Sequence, residues 1–180
     1  MRLPLSLTLA ALLFAPTLLA QTSTPQTSDK GPLGSLTVGW TYLWADQGAN
    51  YRANLNGWVV RPVVNVGRGF SIFFSNTNYY GHNAKGEINS HGFTLGVGKK
   101  VFRIPRAQPN IFLEAGDVRA SSHGITEEAL VAAGVSFSIP LAHRLALSIT
   151  PAEYAFLYPH ADWRNDYNAK VGLTVPFGHR

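Results

Sequence analysis

From Ser35 onward, apolar and polar positions alternate along the chain. Leu36, Val38, Trp40, Tyr42 and Trp44 share one face of an extended segment, while Ser35, Thr37, Gly39, Thr41 and Ala45 share the other; Leu43 breaks the pattern. A repeat of two marks a strand with one apolar face, because successive side chains point to opposite sides; a helix would repeat at 3.6. The last segment does the same, with Tyr167, Ala169, Val171, Leu173, Val175 and Phe177 opposite Asp166, Asn168, Lys170, Gly172 and Thr174. Six further segments are predicted between them, at 53–66, 69–80, 88–100, 109–119, 127–139 and 144–156. Their apolar faces carry Trp58, Val60 and Val64; Phe70, Ile72 and Phe74; Phe93, Leu95 and Val97; Ile111, Leu113 and Ala115; Val131, Ala133, Val135 and Phe137; Leu145, Leu147 and Ile149. The opposite faces are rich in Gly, Ser, Thr and Asn.

The pattern predicts an all-β fold of eight strands, antiparallel and up-and-down, closed into a transmembrane barrel. Alternation alone does not say which face is inside. Two features choose the lipid-facing direction for the apolar one. Aromatic residues gather near strand ends, as in the interfacial girdles of membrane barrels: Trp40, Tyr42, Trp44, Tyr79, Tyr80, Tyr154, Tyr158, Trp163 and Tyr167 towards one end, and Phe70, Phe102, Phe137 and Phe177 towards the other. The opposite face holds small and charged residues that suit a narrow lumen. Arg61, Lys100, Glu114, Glu128, Arg144 and Lys170 are the expected members of an ion-paired network there. Closure also satisfies every backbone donor and acceptor within lipid, which an open sheet does not. Eight strands leave an interior just wide enough for side chains to fill, so the network reads as packing and not as a conduction path.

Composition places this barrel in an export pathway. Met1 to Ala20 has Arg2, then an uncharged apolar run ending in Leu18-Leu19-Ala20, the arrangement of a cleaved secretory signal. Residues 21–34, rich in Thr, Ser, Gln, Pro and Gly, read as a flexible linker, and 35–180 as the barrel. The cysteine count is zero, which removes disulfides, thiolate metal sites and thiol nucleophiles; Gln21, not Cys, follows the cut, which argues against a lipoprotein. Without Arg2 the chain carries 14 basic and 10 acidic residues, a net charge of +4. Lys99, Lys100, Arg103 and Arg106 are its only concentrated basic group, too small for the stripe a nucleic-acid binder needs, and read as a solvated turn.

Lys170-Val171-Gly172-Leu173-Thr174-Val175-Pro176-Phe177 resembles the terminal strand signal of Gram-negative outer-membrane barrels, with Lys170, Gly172, Val175 and Phe177 at the matching positions; Gly178-His179-Arg180 follow where the signal usually ends the chain. More widely, VGWTYLWAD, NLNGWVV, NTNYYG, LGVGKKVF, PNIFLEAG, AAGVSFSIPLAHRLAL and PAEY resemble the small outer-membrane β-barrels common in Acidobacteria, of the OmpA/OmpX type. The resemblance implies a Gram-negative outer-membrane location, contact with outer-membrane lipid, recognition by the barrel assembly machinery and a monomeric state. It implies no chemistry, no cofactor and no particular extracellular ligand.

Three features of the sequence bear on chemistry. The histidines, His82, His91, His123, His143, His160 and His179, make no metal-binding pair such as His-x-x-x-His. Ser90-His91 and Ser122-His123 are the nearest approach to a lipid-A acyl hydrolase, but neighbours on a strand face opposite ways, so neither pair is a nucleophile with its base. A narrow pore and a soluble, lipocalin-like barrel with an apolar pocket are the remaining alternatives. The outward connections, 45–52, 81–87, 120–126 and 157–165, are the expected contact surfaces, with Tyr51, Tyr158, Trp163 and Arg164 placed either to make contacts or to anchor the barrel. Four prolines lie within strands. Pro109 and Pro176 fall near strand ends, whereas Pro62 and Pro151 require a bulge or a local break. Glu153 shares the parity of Leu145, Leu147 and Ile149, and a bulge at Pro151 would turn it inward.

Overall fold

The computed structural model describes residues 31–46, 52–83, 86–102, 104–121, 125–158 and 164–178. The signal and most of the linker lie outside these residues, as do Tyr51, His123, His160, Trp163 and His179. The alternating segments form eight strands: β1 Gly34–Asp46, β2 Arg52–Gly67, β3 Phe70–Asn83, β4 Gly86–Lys100, β5 Gln108–Ser121, β6 Ile125–Ala142, β7 Leu145–Tyr158 and β8 Arg164–Phe177. Each pairs antiparallel with its sequence neighbours, and β1 pairs with β8, so the sheet closes. An even number of strands brings both termini to one end, together with the β2–β3, β4–β5 and β6–β7 connections. This is called the termini end, and the other the loop end.

The faces divide as the alternation requires. Val38, Trp40, Leu95, Leu113, Val131, Leu173 and Val175 are exposed on the outer wall, and Thr41, Ser75, Thr94, Glu114 and Lys170 are buried within. The outward run on β8 from Tyr167 to Phe177 is ten steps along the strand; at ~3.3 Å per step and ~40° tilt it covers about 25 Å along the barrel axis, the height of a membrane barrel's apolar band.

Local departures have local causes. The β2–β3 turn is Gly67-Arg68-Gly69, all with positive φ, which glycine adopts without strain and which here includes Arg68 at 52°. Pro62 has no N–H to give; β2 keeps one register with β3 on both sides of it, but Arg61 and Pro62 have no partner there. Pro151 produces a true bulge. Seen from β8, Thr150 pairs with Lys170 and Glu153 with Asn168, so β7 has one residue too many; seen from β6, Ile149 pairs with Phe137 and Ala152 with Val135, which gives the same count. The extra residue reverses the parity of β7, so Leu147 and Ile149 face out, yet Glu153 is buried inside and Tyr154 takes the outer side.

Two glycines face each other across the closing seam, Gly39 on β1 and Gly172 on β8. A Cβ on either would run into the backbone of the opposite strand. Two residues along the same seam, Thr37 and Thr174 share a hydroxyl hydrogen bond of 2.7 Å between residues 137 apart in sequence.

Candidate functional site

The interior is layered, and the central layer is ionic. Arg61 from β2, Glu114 from β5, Glu153 from β7 and Lys170 from β8 converge on the barrel axis. Lys170 Nζ lies 2.6 Å from Glu153 Oε2 and 3.5 Å from Glu114 Oε1. Arg61 Nη2 lies 3.1 Å from Glu114 Oε2 and 3.9 Å from Glu153 Oε2. Two cations thus face two carboxylates, each cation reaching both, and the group is neutral. Buried charges persist only when paired and hydrogen-bonded, and here the remaining valences are met. Arg61 Nε donates to Ser75 Oγ at 2.7 Å. Asn168 Nδ2 donates to Glu153 Oε1 at 3.1 Å and to the Tyr79 hydroxyl at 2.6 Å, and its Oδ1 accepts from Thr41 Oγ1 at 2.6 Å. The Arg61 guanidinium also lies over the rings of Phe73 and Phe112, at 4.6 and 5.2 Å from their centroids. Those rings meet edge to face at 5.9 Å. Room for them comes from Gly96 and Gly134, where a Cβ would overlap Phe73 and Phe112 respectively.

Towards the loop end the interior becomes apolar. Leu43, Ala45, Ala53, Leu55, Tyr79 and Ile88 form one buried cluster, and Val118, Ala132, Ala155 and Leu157, with Leu130 against them, a second. Between these walls lies a cavity of about 100 Å³ that reaches down to Lys170, Glu114 and Thr94 and up to Asp46, Glu128, Arg164 and Asp166. The rim is paired, with Arg164 Nη1 at 3.6 Å from Glu128 Oε1, Arg52 Nη2 at 3.7 Å from Asp46 Oδ2, and the Asp46 N–H donating to Asp166 Oδ1 at 2.7 Å.

Of the six residues expected in the lumen network, the structure brings Arg61, Glu114 and Lys170 into the central layer and puts Glu128 at the rim. Lys100 and Arg144 are corrections. Lys100 has inward parity but is the last residue of β4, beyond the end of the lumen, and is exposed. Arg144 is exposed in the β6–β7 turn. Glu153 takes the place left open, for the reason the bulge supplies. Tyr79 is a correction among the expected interfacial aromatics: β3 continues to Asn83, so Tyr79 is not at the strand end, and its parity with Phe73 and Ser75 buries it in the lumen.

Trp40, Trp44, Tyr80 and Tyr167 are exposed outside, with Tyr42 and Tyr154 half-buried beside them. Trp40 stacks on Tyr42 at 6.2 Å on β1, and Trp44 of β1, Tyr167 of β8 and Tyr154 of β7 form a connected aromatic group at 5.8 and 4.9 Å. In the terminal-strand motif, Lys170 points inward, Gly172 sits at the seam, and Val175 and Phe177 are exposed outside. Ser90 is buried in the lumen and His91 is exposed on the outer side, so the pair is split across the wall. Among the described residues no three His, Cys, Asp or Glu side chains stand together as a metal site.

No protein-family model matches the chain, and no curated protein matches it in sequence. Solved structures do match. Neisserial surface protein A aligns over 80% of this chain and 97% of its own, with a TM-score of 0.65 and 11% identity. The outer membrane protein OprG from Pseudomonas aeruginosa aligns over 83% and 99%, with a TM-score of 0.55 and 10% identity. Ail, the attachment invasion locus protein of Yersinia pestis, aligns over 81% and 99%, with a TM-score of 0.54 and 11% identity. The fold is that of the small eight-stranded outer-membrane barrels.

Proposed function

We propose that the chain is an integral outer-membrane protein with a structural or surface-contact role. Its barrel is a closed, non-conducting scaffold, and its loop end presents the four connections to the outside. The observation that carries this reading is the inverted polarity of the wall. A soluble barrel hides its leucines and exposes its charges; here Leu95 is 63% exposed on the outside, while Glu114 and Glu153 are each 3% exposed within. Only an apolar surrounding stabilises that arrangement. A lipocalin-like binder would need the reverse. The ionic layer spans the lumen from β2 to β8 and argues against a pore. Two of the structural neighbours, a surface protein and an attachment invasion locus protein by name, support contact at the cell surface. Residues 1–20 would direct export, the Lys170–Phe177 strand would engage the barrel assembly machinery, and the barrel would act as a monomer without catalysis.

The test is electrophoretic mobility of membrane-extracted protein with and without heating, after alkaline washing of the membranes. Retention through the wash with a heat-dependent shift is expected. Release into the wash without a shift overturns the reading. Planar-bilayer recording of the same preparation is expected to show no steady conductance.

A further inference from the structure

The two ends of the barrel differ in charge, and the difference is larger than the chain's modest net charge suggests. At the loop end the described residues include Asp46, Glu87, Asp117, Glu127, Glu128 and Asp166 against Arg52, Arg119 and Arg164. At the termini end they include Arg68, Lys99, Lys100, Arg106 and Arg144, with no carboxylate. The β2–β3 turn and the β4–β5 connection hold the first three of these together. Lys99 Nζ donates to the Arg68 carbonyl at 3.0 Å, and the Lys100 N–H donates to the Gly69 carbonyl at 2.8 Å.

The same place is apolar. Phe102 is 64% exposed, and Val101 and Ile104 are exposed beside it. Lys99 Nζ sits 3.7 Å from the centroid of the Phe70 ring. The described residues of the connection are nonetheless folded. Ile104 and Ala107 exchange backbone hydrogen bonds of 3.2 Å, Val101 N–H reaches the Pro109 carbonyl at 3.2 Å, and Gln108 Nε2 holds the Phe102 carbonyl at 2.9 Å. A fixed platform with bare apolar side chains among uncompensated cations, at the edge of an apolar wall, matches one surface: the boundary where acyl chains meet anionic headgroups.

We propose that the termini end is a selective contact for anionic phospholipid, with Phe102 and Val101 entering the acyl boundary and Lys99, Lys100, Arg68 and Arg106 taking the phosphates. This rests on the membrane reading above and adds to it a lipid class and a leaflet, the one facing the termini. Charge complementarity and the continuity of the platform with the lipid-facing wall favour lipid over an anionic wall polymer, which would leave Phe102 in water.

The experiment uses the mature chain refolded in phosphatidylcholine vesicles containing phosphatidylglycerol. Electron spin resonance then compares motionally restricted spin-labelled phosphatidylglycerol with spin-labelled phosphatidylcholine, and the heat-dependent mobility shift confirms folding. An association preference of about fivefold for phosphatidylglycerol is expected, the equivalent of the ~1 kcal/mol a basic side chain contributes at an anionic surface. It should fall to near unity in the Lys99→Gln/Lys100→Gln/Arg106→Gln variant and persist in Arg119→Gln at the loop end. If the triple variant does not fold, salt titration of the unaltered protein gives the same answer: the preference should vanish at about 1 M salt, where the Debye length is ~3 Å. A folded barrel with no preference overturns the proposal and leaves the membrane reading standing. Co-sedimentation of that folded barrel with peptidoglycan would then reassign the cationic end to the cell wall. Absence of the mobility shift overturns both.

Discussion

Two levels of the lumen, a few residues apart along the strands, solve the same packing problem in different ways. The central layer is full. Its four charges neutralise one another, two aromatic rings fill the space beside Arg61, and glycines on β4 and β6 give way to those rings. The level above it is lined by Leu43, Leu55, Ile88, Val118 and Leu157 and still encloses a cavity. The strands have the same inward parity at both levels, so backbone geometry is not the difference. Ion pairs couple residues on β2, β5, β7 and β8 that do not adjoin one another all round, whereas the leucine, isoleucine and valine side chains of the apolar level are held by contact. The lumen is therefore closed by chemistry at one height and merely narrowed at the other.

That contrast is broken most severely by removing one charge. Lys170→Met leaves Glu153 and Glu114 facing Arg61 alone, and is expected to cost about 3–5 kcal/mol, read from urea unfolding of the lipid-embedded barrel. Adding Glu153→Gln should recover most of the loss, since the Arg61–Glu114 pair is neutral by itself. If the single variant is as stable as the parent, the central layer is not an interdependent network.

Smaller changes sharpen the comparison, because one added group should have opposite signs at the two levels. Gly96→Ala pushes a methyl into the Phe73 ring and is expected to destabilise by about 1–3 kcal/mol in the same unfolding measurement. Ala45→Val points into the cavity and is expected to stabilise by about 0.5 kcal/mol. Equal effects at both positions would mean that the two levels are equally packed.

Much of this was legible in the chain. Period-two alternation predicts all eight strands and their outward faces, since the outward positions along the middle of the wall share one apolar chemistry. The lumen is read less well, because the alternation says only which side chains point inward, not at what height they end or whom they meet. Lys100 and Arg144 have the right chemistry but lie past the end of the lumen. Tyr79 shows the ambiguity of tyrosine, which serves equally as an interfacial anchor and as a buried hydroxyl that accepts from Asn168. Glu153 is legible only through Pro151, since a proline in mid-strand forces the irregularity that turns the carboxylate inward. Leu43, the one residue of β1 that breaks the alternation, signals the apolar upper level, as do Leu55, Ile88 and Val118 at the inward parity of their strands.

The strand at the closing seam has an electrical consequence. Lys170 and Asn168 belong to the strand that completes the ring, and the seam joins residues 137 positions apart. With β8 out of the ring, Glu114 and Glu153 would have only Arg61 between them. The same strand therefore supplies both the hydrogen-bond ladder to β1 and the second positive charge of the central layer. A barrel that lacks β8 is both unclosed and electrically unbalanced, two independent reasons for it not to persist in lipid.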